Sequence, residues 1–276
     1  MKLGIITTAF QYEKGKVDYE YMRSVGYDAC DFQGMMLKDG YYQSVEEQEM
    51  AEKLRYERER ASDAGICIHQ VHSIWPTNDK TEEGRELTLY YTKRAAVAAS
   101  VLGAKFIVCH PIMPDGWSVD AEAGRTYELN RKFFTEVSRF ASEMGVSVCI
   151  ENMPFTKLAL SDISEIMRLV SDVDLENFGV CLDTGHANIL GARMGEAVNE
   201  IGDKLFALHI HDNTGWADQH RFPYCGTIDW KGFSESIHDG THEDICLSLE
   251  TNFQKNIPNG LNGELHKMLF SLLKSL

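Results

Sequence analysis

Short apolar runs rich in β-branched residues alternate with longer helical patterns along the whole chain, and this alternation constrains the fold most. Such an alternation is typical of βα units around a parallel sheet. We count eight units, with strands predicted at 3–8, 29–33, 66–73, 105–111, 146–153, 178–184, 205–212 and 245–252. No linker, short repeat or low-complexity tract separates them, so the sequence predicts a single α/β domain over residues 1–276, a (β/α)8 TIM barrel.

Three helical segments carry signals for where they begin or which face they bury. Segment 44–64 opens with Ser44 and Glu47 in the spacing of a capping box and stops before Gly65. In two others, apolar residues recur every three or four positions, which predicts one buried face for each. These residues are Phe133, Phe134, Val137, Phe140, Ala141 and Met144 in one helix, and Leu265, Met268, Leu269, Leu272 and Leu273 in the other.

The last four predicted strands alternate bulky side chains with small or polar ones. In the fifth strand, Val148 and Ile150 share one face while Cys149 and Glu151 share the other, because successive strand residues point to opposite faces. The later strands repeat this pattern, with Val180, Leu182, Phe206, Leu208, Ile210, Ile245, Leu247 and Leu249 predicted to face the helices. The small residues therefore face the barrel axis.

The inward-facing side chain near the end of each of these strands can bind a metal ion: Glu151, Asp183, His209 and Glu250. They converge above the barrel axis, where enzymes of this fold place their active sites. Three carboxylates in that space need protons or a cation, and the imidazole adds a nitrogen ligand. We predict one divalent metal ion, Mn²⁺, with Mg²⁺, Co²⁺ or Zn²⁺ as alternatives.

The runs around these residues resemble the xylose isomerase-like TIM barrel superfamily, and more narrowly its sugar phosphate isomerase/epimerase group, which includes ketose 3-epimerases. The resemblance extends from the first strand to the last. It rests on the runs VCIENMP at 148–154, CLDTGH at 181–186, HIHDN at 209–213, GTIDW at 226–230 and LSLETN at 247–252.

This resemblance implies a metal-dependent isomerase or epimerase of a small sugar or sugar phosphate. Glu151, Asp183, His209 and Glu250 match the family's metal positions, and His186 matches a position that contacts substrate oxygens. Glu151 and Glu250 would remove and return a proton on a carbon next to a carbonyl, through an enediolate that the metal stabilises. The arginine that the epimerases carry after the metal histidine is absent, with Asn-Thr-Gly-Trp at 213–216 instead, so the substrate stays open.

The resemblance also reaches the apurinic endonucleases of the endonuclease IV type, whose trinuclear zinc site uses further histidines and an Asp-x-His pair. The matching residues are His72, His110, His186, Asp218 and His220. They either bind additional metals, at His72, His110, Asp218 and His220, or bind substrate hydroxyls or a phosphate. A metal-dependent phosphodiesterase, a polyol or sugar-acid dehydratase, and a barrel that binds a sugar without turnover are the alternative functions.

Rim aromatics add candidates for stacking on a sugar ring. They are Phe32, Trp75, Trp117 and Trp216, of which we assign Trp216 to substrate binding.

Charge and cysteine usage limit partners and location. With 27 Lys and Arg against 42 Asp and Glu, the net charge of −15 and the lack of a basic cluster disfavour nucleic acid. We expect no membrane segment, a cytoplasmic location and a barrel able to form homo-oligomers. Seven cysteines without Cys-x-x-Cys spacing predict reduced thiols in the core: Cys30, Cys67, Cys109, Cys149, Cys181, Cys225 and Cys246.

Overall fold

The computed structural model describes residues 1–13, 15–116, 121–251 and 259–276. Ten strands occur within these residues: β1 (Lys2–Ile6), β2 (Gln11–Glu13), β3 (Lys16–Val17), β4 (Ala29–Phe32), β5 (Cys67–His72), β6 (Phe106–Cys109), β7 (Ser147–Glu151), β8 (Phe178–Asp183), β9 (Leu205–His209) and β10 (Cys246–Leu249). Eight of them form a parallel sheet in the order β10-β1-β4-β5-β6-β7-β8-β9. All eight predicted strands are therefore confirmed, each within three residues of its expected bounds at either end.

The sheet closes on itself between β9 and β10. Ile210 N–H donates to the Ser248 carbonyl at 2.8 Å, and Glu250 N–H donates to the Ile210 carbonyl at 2.9 Å. Closure leaves no free edge in the sheet, and it confirms the (β/α)8 barrel.

Helices cover the outside of the barrel. Those within the described residues are α1 (Tyr19–Val25), α2 (Glu47–Asp63), α3 (Glu82–Leu102), α4 (Ala123–Ser142), α5 (Ile163–Val173), α6 (Thr184–Ile189), α7 (Met194–Ile201), α8 (Trp230–Ile237) and α9 (Asn259–Lys274). Among the described helices, none has the length and apolar character needed to cross a membrane.

The barrel interior contains a small apolar layer made of Val108, Cys149, Cys181 and Ala207, all fully buried. Val148, Ile150, Val180 and Leu182 belong instead to the larger core between sheet and helices. The alternation read from these strands is therefore confirmed. The inward-facing residues that follow this layer toward the carboxyl ends of the strands are polar. The apolar layer therefore lies directly below a polar region at that end of the barrel.

Phe206 departs from the predicted phase. It packs against the interior layer, with its ring centroid 5.6 Å from that of Phe106. Gly179 leaves room for the ring, since a Cβ there would lie 2.6 Å from it. A register shift between Val180 and Cys181 in the pairing of β8 with β9 accompanies this arrangement. The prediction that Phe206 faces the helices was wrong.

The predicted start of α2 and the predicted burial of Met268 were also wrong, and one hairpin was missed. α2 begins at Glu47 after an extended Glu46 that makes no side-chain cap, because Ser44 belongs to the preceding turn and its N–H bonds the Gly40 carbonyl. In α9, Met268 is 48% exposed, since the buried face follows His266, Leu269 and Leu273. The hairpin of β2 and β3 was not predicted, because its exposed residues show no apolar alternation.

The cysteines are unpaired, and five of the seven are buried. Cys67 is partly exposed. Cys225 is exposed in the loop after β9, which corrects its predicted place in the core.

Candidate metal centre

Four side chains from neighbouring strands meet above the apolar layer. Glu151 ends β7, Asp183 ends β8, His209 ends β9, and Glu250 directly follows β10. Their ligand atoms all lie within 4.8 Å of one another. His209 Nδ1 lies 2.9 Å from Glu250 Oε2 and 3.2 Å from Glu151 Oε1. Strand phase therefore brings together the four residues selected from the sequence.

Glu151 also faces a second group, formed with two histidines. Its Oε2 lies 3.5 Å from His72 Nε2 and 3.2 Å from His110 Nε2. All three side chains are buried. One carboxylate thus points an oxygen into each of two neighbouring groups, an orientation suited to bridging two cations.

A third group joins His186 and His211 to the pair Asp218 and His220. Asp218 Oδ2 lies 3.3 Å from His186 Nε2 and 3.0 Å from His220 Nε2. His211 Nε2 lies 3.0 Å from an oxygen of Asp183, which links this group to the first. The loop between β9 and α8 therefore brings the predicted Asp-x-His pair to the barrel mouth.

Backbone carbonyls fix the orientation of three of the histidines. The Nδ1 atoms of His72, His186 and His220 each lie 2.8 Å from a carbonyl oxygen, so each ring donates from Nδ1. In the neutral ring Nε2 carries the lone pair, and in all three rings this atom faces a carboxylate oxygen. Two electron-rich atoms at this distance repel unless a proton or a cation lies between them. Histidines that bind metals have the same outer hydrogen bond.

His209 presents its other nitrogen to the centre. Its Nε2–H donates to Asp31 Oδ2 at 2.9 Å, so the Nδ1 lone pair points toward Glu151 and Glu250. His209 Nδ1 and Glu151 Oε2 are buried without a hydrogen-bond partner in the described chain. Each buried polar atom without a partner reduces the free energy of unfolding by about 1–3 kcal/mol, and a bound cation would remove this penalty. Three carboxylates and an imidazole fit a divalent ion such as Mn²⁺ or Zn²⁺.

Electrostatic coupling favours charged carboxylates and protonates some of the histidines, whereas burial lowers the pKa of His110 to about 3. Burial raises the pKa of Glu151, but interactions with the imidazoles of His110 and His209 outweigh burial and hold that pKa well below its usual range. Burial lowers the pKa of His186 and His220, yet nearby carboxylates raise these pKa values to about 10 and about 9. A divalent cation in these groups would therefore compete with protons.

The fold and the strand-end motifs match one known family. A model of the xylose isomerase-like TIM barrel family matches residues 19–271. The chain belongs to this family. The matched range contains every side chain of the three groups.

Proteins similar in sequence to this chain include two named for an enzymatic activity. An uncharacterised protein of Methanocaldococcus jannaschii is 28% identical over 270 residues, 96% of this chain and 87% of the relative. The D-psicose 3-epimerase of Agrobacterium fabrum is 28% identical over 190 residues, 66% of this chain and 63% of that enzyme. The inosose isomerase of Bacillus subtilis is 23% identical over 179 residues, 63% of each chain.

Crystal structures of other proteins share the barrel. A 3-keto-D-glucoside 4-epimerase from E. coli has a TM-score of 0.79 at 17% identity, with all of both chains covered. The IOLI protein, crystallised with a zinc atom, has a TM-score of 0.78 at 19% identity and covers 100% of this chain and 96% of that one. At these identities the likeness shows the fold.

Two members of the site were not assigned from the sequence. His211 lies two residues after His209 on the same inward face, so its phase was the available signal. Its ring packs on Gly185, where a Cβ would overlap it, which explains the glycine in the Thr-Gly-His run. Asp31 sits on β4, outside the four strands that carry the motifs.

The predicted rim aromatics occupy different environments. Trp75 packs on the His110 ring, with centroids 4.3 Å apart, and Phe32 is buried against Tyr42. Trp216 is 90% exposed and belongs to none of the three groups. Trp117 lies outside the described residues. The roles of these side chains in substrate binding stay predictions.

Asp212 anchors the loop that carries Asp218 and His220. Its Oδ1 accepts from the N–H groups of Asn213 and Ile228, and its Oδ2 accepts from Gly226 N–H and Trp230 Nε1–H, at 2.8 to 3.3 Å. The carboxylate is fully buried. The Gly-Thr-Ile-Asp-Trp run thus serves to fold the loop around one side chain.

We expect Asp212→Ala to reduce the free energy of unfolding by more than about 3 kcal/mol, because it leaves several buried donors without an acceptor at about 1–3 kcal/mol each. Chemical denaturation measures this loss. Asp229→Asn, at the exposed cap of α8, is the matched control and should change stability little, since Asn caps as well as Asp. A loss below about 1 kcal/mol for Asp212→Ala would contradict the anchoring role.

Proposed function

We propose that this protein is a divalent-metal-dependent isomerase or epimerase of a small sugar. The proposal rests on one observation above all: the oxygens of Glu151 and Glu250 and Nδ1 of His209 gather with Asp183 within 4.8 Å at the carboxyl ends of the barrel strands. The names of the isomerase and epimerase relatives support the same class of reaction.

Glu151 and Glu250 are the proton carriers in this proposal. A divalent cation held by Glu151, Asp183, His209 and Glu250 would polarise the substrate carbonyl and so ease removal of the neighbouring proton. Glu250 is the more accessible of the two, with 14% of its side chain exposed against 2% for Glu151, so it meets the substrate from the mouth. Inversion at carbon needs a base on one face and an acid on the other, which is why an epimerase uses both carboxylates.

The remaining polar groups at the mouth would orient the substrate. His186, Asp218 and His220 carry hydrogen-bonding atoms suited to sugar hydroxyls. His72 and His110 are buried beside Glu151, and the Nε2 atom of each ring faces an oxygen of that carboxylate. A phosphorylated sugar as substrate, a dehydration with loss of a leaving group, and a cytoplasmic location stay predictions.

Alternatively, the two histidine-rich groups hold further cations in place of substrate contacts, and we propose that these metals would differ from the first because the donor sets differ. The oxygen-rich set around His209 suits Mn²⁺. The histidine-rich sets at His72 and His110, and at His186, His211 and His220, suit Zn²⁺. Metal analysis of the purified protein, after separate incubation with each ion, would give the number of ions per chain.

Solvent exchange tests the proposed reaction. The Mn²⁺-loaded protein should incorporate deuterium from D2O at the carbon next to the carbonyl of a ketose, because the proton removed from that carbon exchanges with solvent before it is returned. The first substrates to test are D-psicose, D-tagatose and an inosose. NMR detects the exchange.

A metal-dependent phosphodiesterase is the second candidate, because Glu151 is shared between two ligand groups as in multinuclear sites. The net charge of −15 opposes binding to a polyanion. Metal-dependent nicking of abasic DNA together with no exchange in any ketose would replace the isomerase proposal by this one.

Metal binding should release protons, and its affinity should rise with pH. The pKa values of about 10 and about 9 for His186 and His220 mean that both rings carry protons at neutral pH, whereas a metal ligand must be neutral. Affinity should therefore increase from pH 6 toward pH 9. Calorimetric titrations of Zn²⁺ in buffers of different ionisation enthalpy measure the release. A binding heat independent of buffer would remove these two rings from the metal-binding set.

A further inference from the structure

A buried carboxylate outside the three ligand groups contacts the centre from below. Asp31 lies on β4 with no exposed surface, and its Oδ2 accepts from His209 Nε2–H at 2.9 Å. The same oxygen accepts from Gln70 Nε2–H at 3.3 Å. A register shift between Cys30 and Asp31 in the pairing of β4 with β5 places Asp31 opposite Gln70. The extra residue in this pairing is His69 of β5, so the shift brings Gln70 to Asp31, while Asp31 itself points into the barrel by alternation with Cys30 and Phe32 of the outer core.

Stability does not explain a carboxylate at this position. Asp31 Oδ1 is buried and has no hydrogen-bond partner among the described residues. A buried carboxylate with an unsatisfied oxygen is costly, and its two hydrogen bonds, from His209 and Gln70, offset only part of that cost. The contact of the other oxygen, Asp31 Oδ2, with His209 is therefore the simpler explanation for a carboxylate at this position.

The bond to His209 determines which ring nitrogen faces the ligand group. Because Nε2 donates to Asp31, the lone pair sits on Nδ1, which faces Glu250 Oε2 at 2.9 Å. With no acceptor below, the proton could move to Nδ1 and the ring could turn, and either change withdraws the lone pair from the centre. A carboxylate partner also makes the imidazole a stronger base and hence a stronger ligand.

We propose that Asp31 is a positioning residue for the metal centre: it fixes the tautomer and orientation of His209, and Gln70 in turn holds Asp31. The inference rests on the proposed function, since it presupposes that His209 binds a cation. It predicts that metal affinity responds to Asp31 more strongly than folding stability does.

The test is Asp31→Asn, titrated with Mn²⁺ by calorimetry after removal of bound metal. Affinity should fall about 10- to 100-fold, the loss typical of a residue that supports a metal ligand. The melting temperature of the metal-free variant should stay close to that of the wild type, because asparagine has the size of aspartate and its amide oxygen still accepts from His209 and Gln70. Gln70→Leu, one contact further out, should weaken Mn²⁺ binding by a smaller factor.

Asp28→Asn is the matched control, because Asp28 precedes the same strand but accepts from the backbone N–H of Leu3. Its Mn²⁺ affinity should match that of the wild type. Equal affinities for Asp31→Asn and wild type would overturn the inference, as would a lowered melting temperature with unchanged affinity, which would mark Asp31 as structural. Failure of the wild type to bind Mn²⁺ would instead count against the proposed function.

Discussion

Glu250→Gln is expected to slow deuterium exchange into the substrate by about 10²- to 10⁴-fold, the range that general acid–base catalysis contributes. Glutamine has the shape of glutamate but cannot take up a proton from carbon. Glu250 follows β10, and its backbone N–H bonds the Ile210 carbonyl regardless of the side chain, so the barrel should stay closed. The melting temperature should therefore change little, and NMR in D2O measures the exchange.

Loss of metal must be separated from loss of the base, because Glu250 Oε2 also faces His209 Nδ1. Exchange is therefore measured at saturating Mn²⁺, with the affinity of the variant determined first. Glu243→Gln, an exposed carboxylate just before β10, provides the control and should exchange at the wild-type rate. Wild-type exchange by Glu250→Gln at saturating metal would exclude Glu250 as the base.

Strand phase explains why so much of the centre could be predicted from the sequence. In a parallel barrel all strands end at the same face, and period-two alternation decides which side chains point inward. Glu151, Asp183 and His209 follow directly from these two rules. Glu250 follows too, although it stands one residue beyond β10, because Ile210 continues the pairing past the end of β9.

The residues that escaped prediction depend on irregular backbone or on long-range contacts. The pairing of β4 with β5 skips His69, and no alternation rule indicates that this shift brings Gln70 opposite Asp31. Phe206 turned inward at another such shift, into the space that Gly179 leaves. Asp218 and His220 were recognised only by resemblance, because the Asp212 hydrogen bonds set their position across the loop.

Asp183 combines two roles, and this links the folding of the centre to its chemistry. Its Oδ1 accepts from His186 N–H at 2.7 Å and so caps α6, while the carboxylate also faces His211 Nε2 and the first ligand group. The cap fixes the start of the short helix that carries His186. One side chain therefore positions a residue of the third group while it belongs to the first.

Asp183→Ala is expected to reduce Mn²⁺ affinity by well over the 100-fold loss typical of an outer residue, because a ligand itself is removed. It should also reduce the free energy of unfolding of the metal-free protein by about 0.5–2 kcal/mol through loss of the cap. Asp183→Asn separates the effects, since an asparagine cap is as good as an aspartate cap but an amide is a far weaker metal ligand. Calorimetric titration and chemical denaturation measure the two quantities.

The two variants together distinguish a metal ligand from a helix cap. If Asp183→Asn keeps wild-type stability and loses Mn²⁺ binding, the carboxylate is held at the end of β8 for its charge. If instead it binds Mn²⁺ as tightly as the wild type, Asp183 acts on the centre only by placing His186. The cation would then be held by Glu151, His209 and Glu250, whose nearest approaches, 2.9 and 3.2 Å, all involve His209 Nδ1.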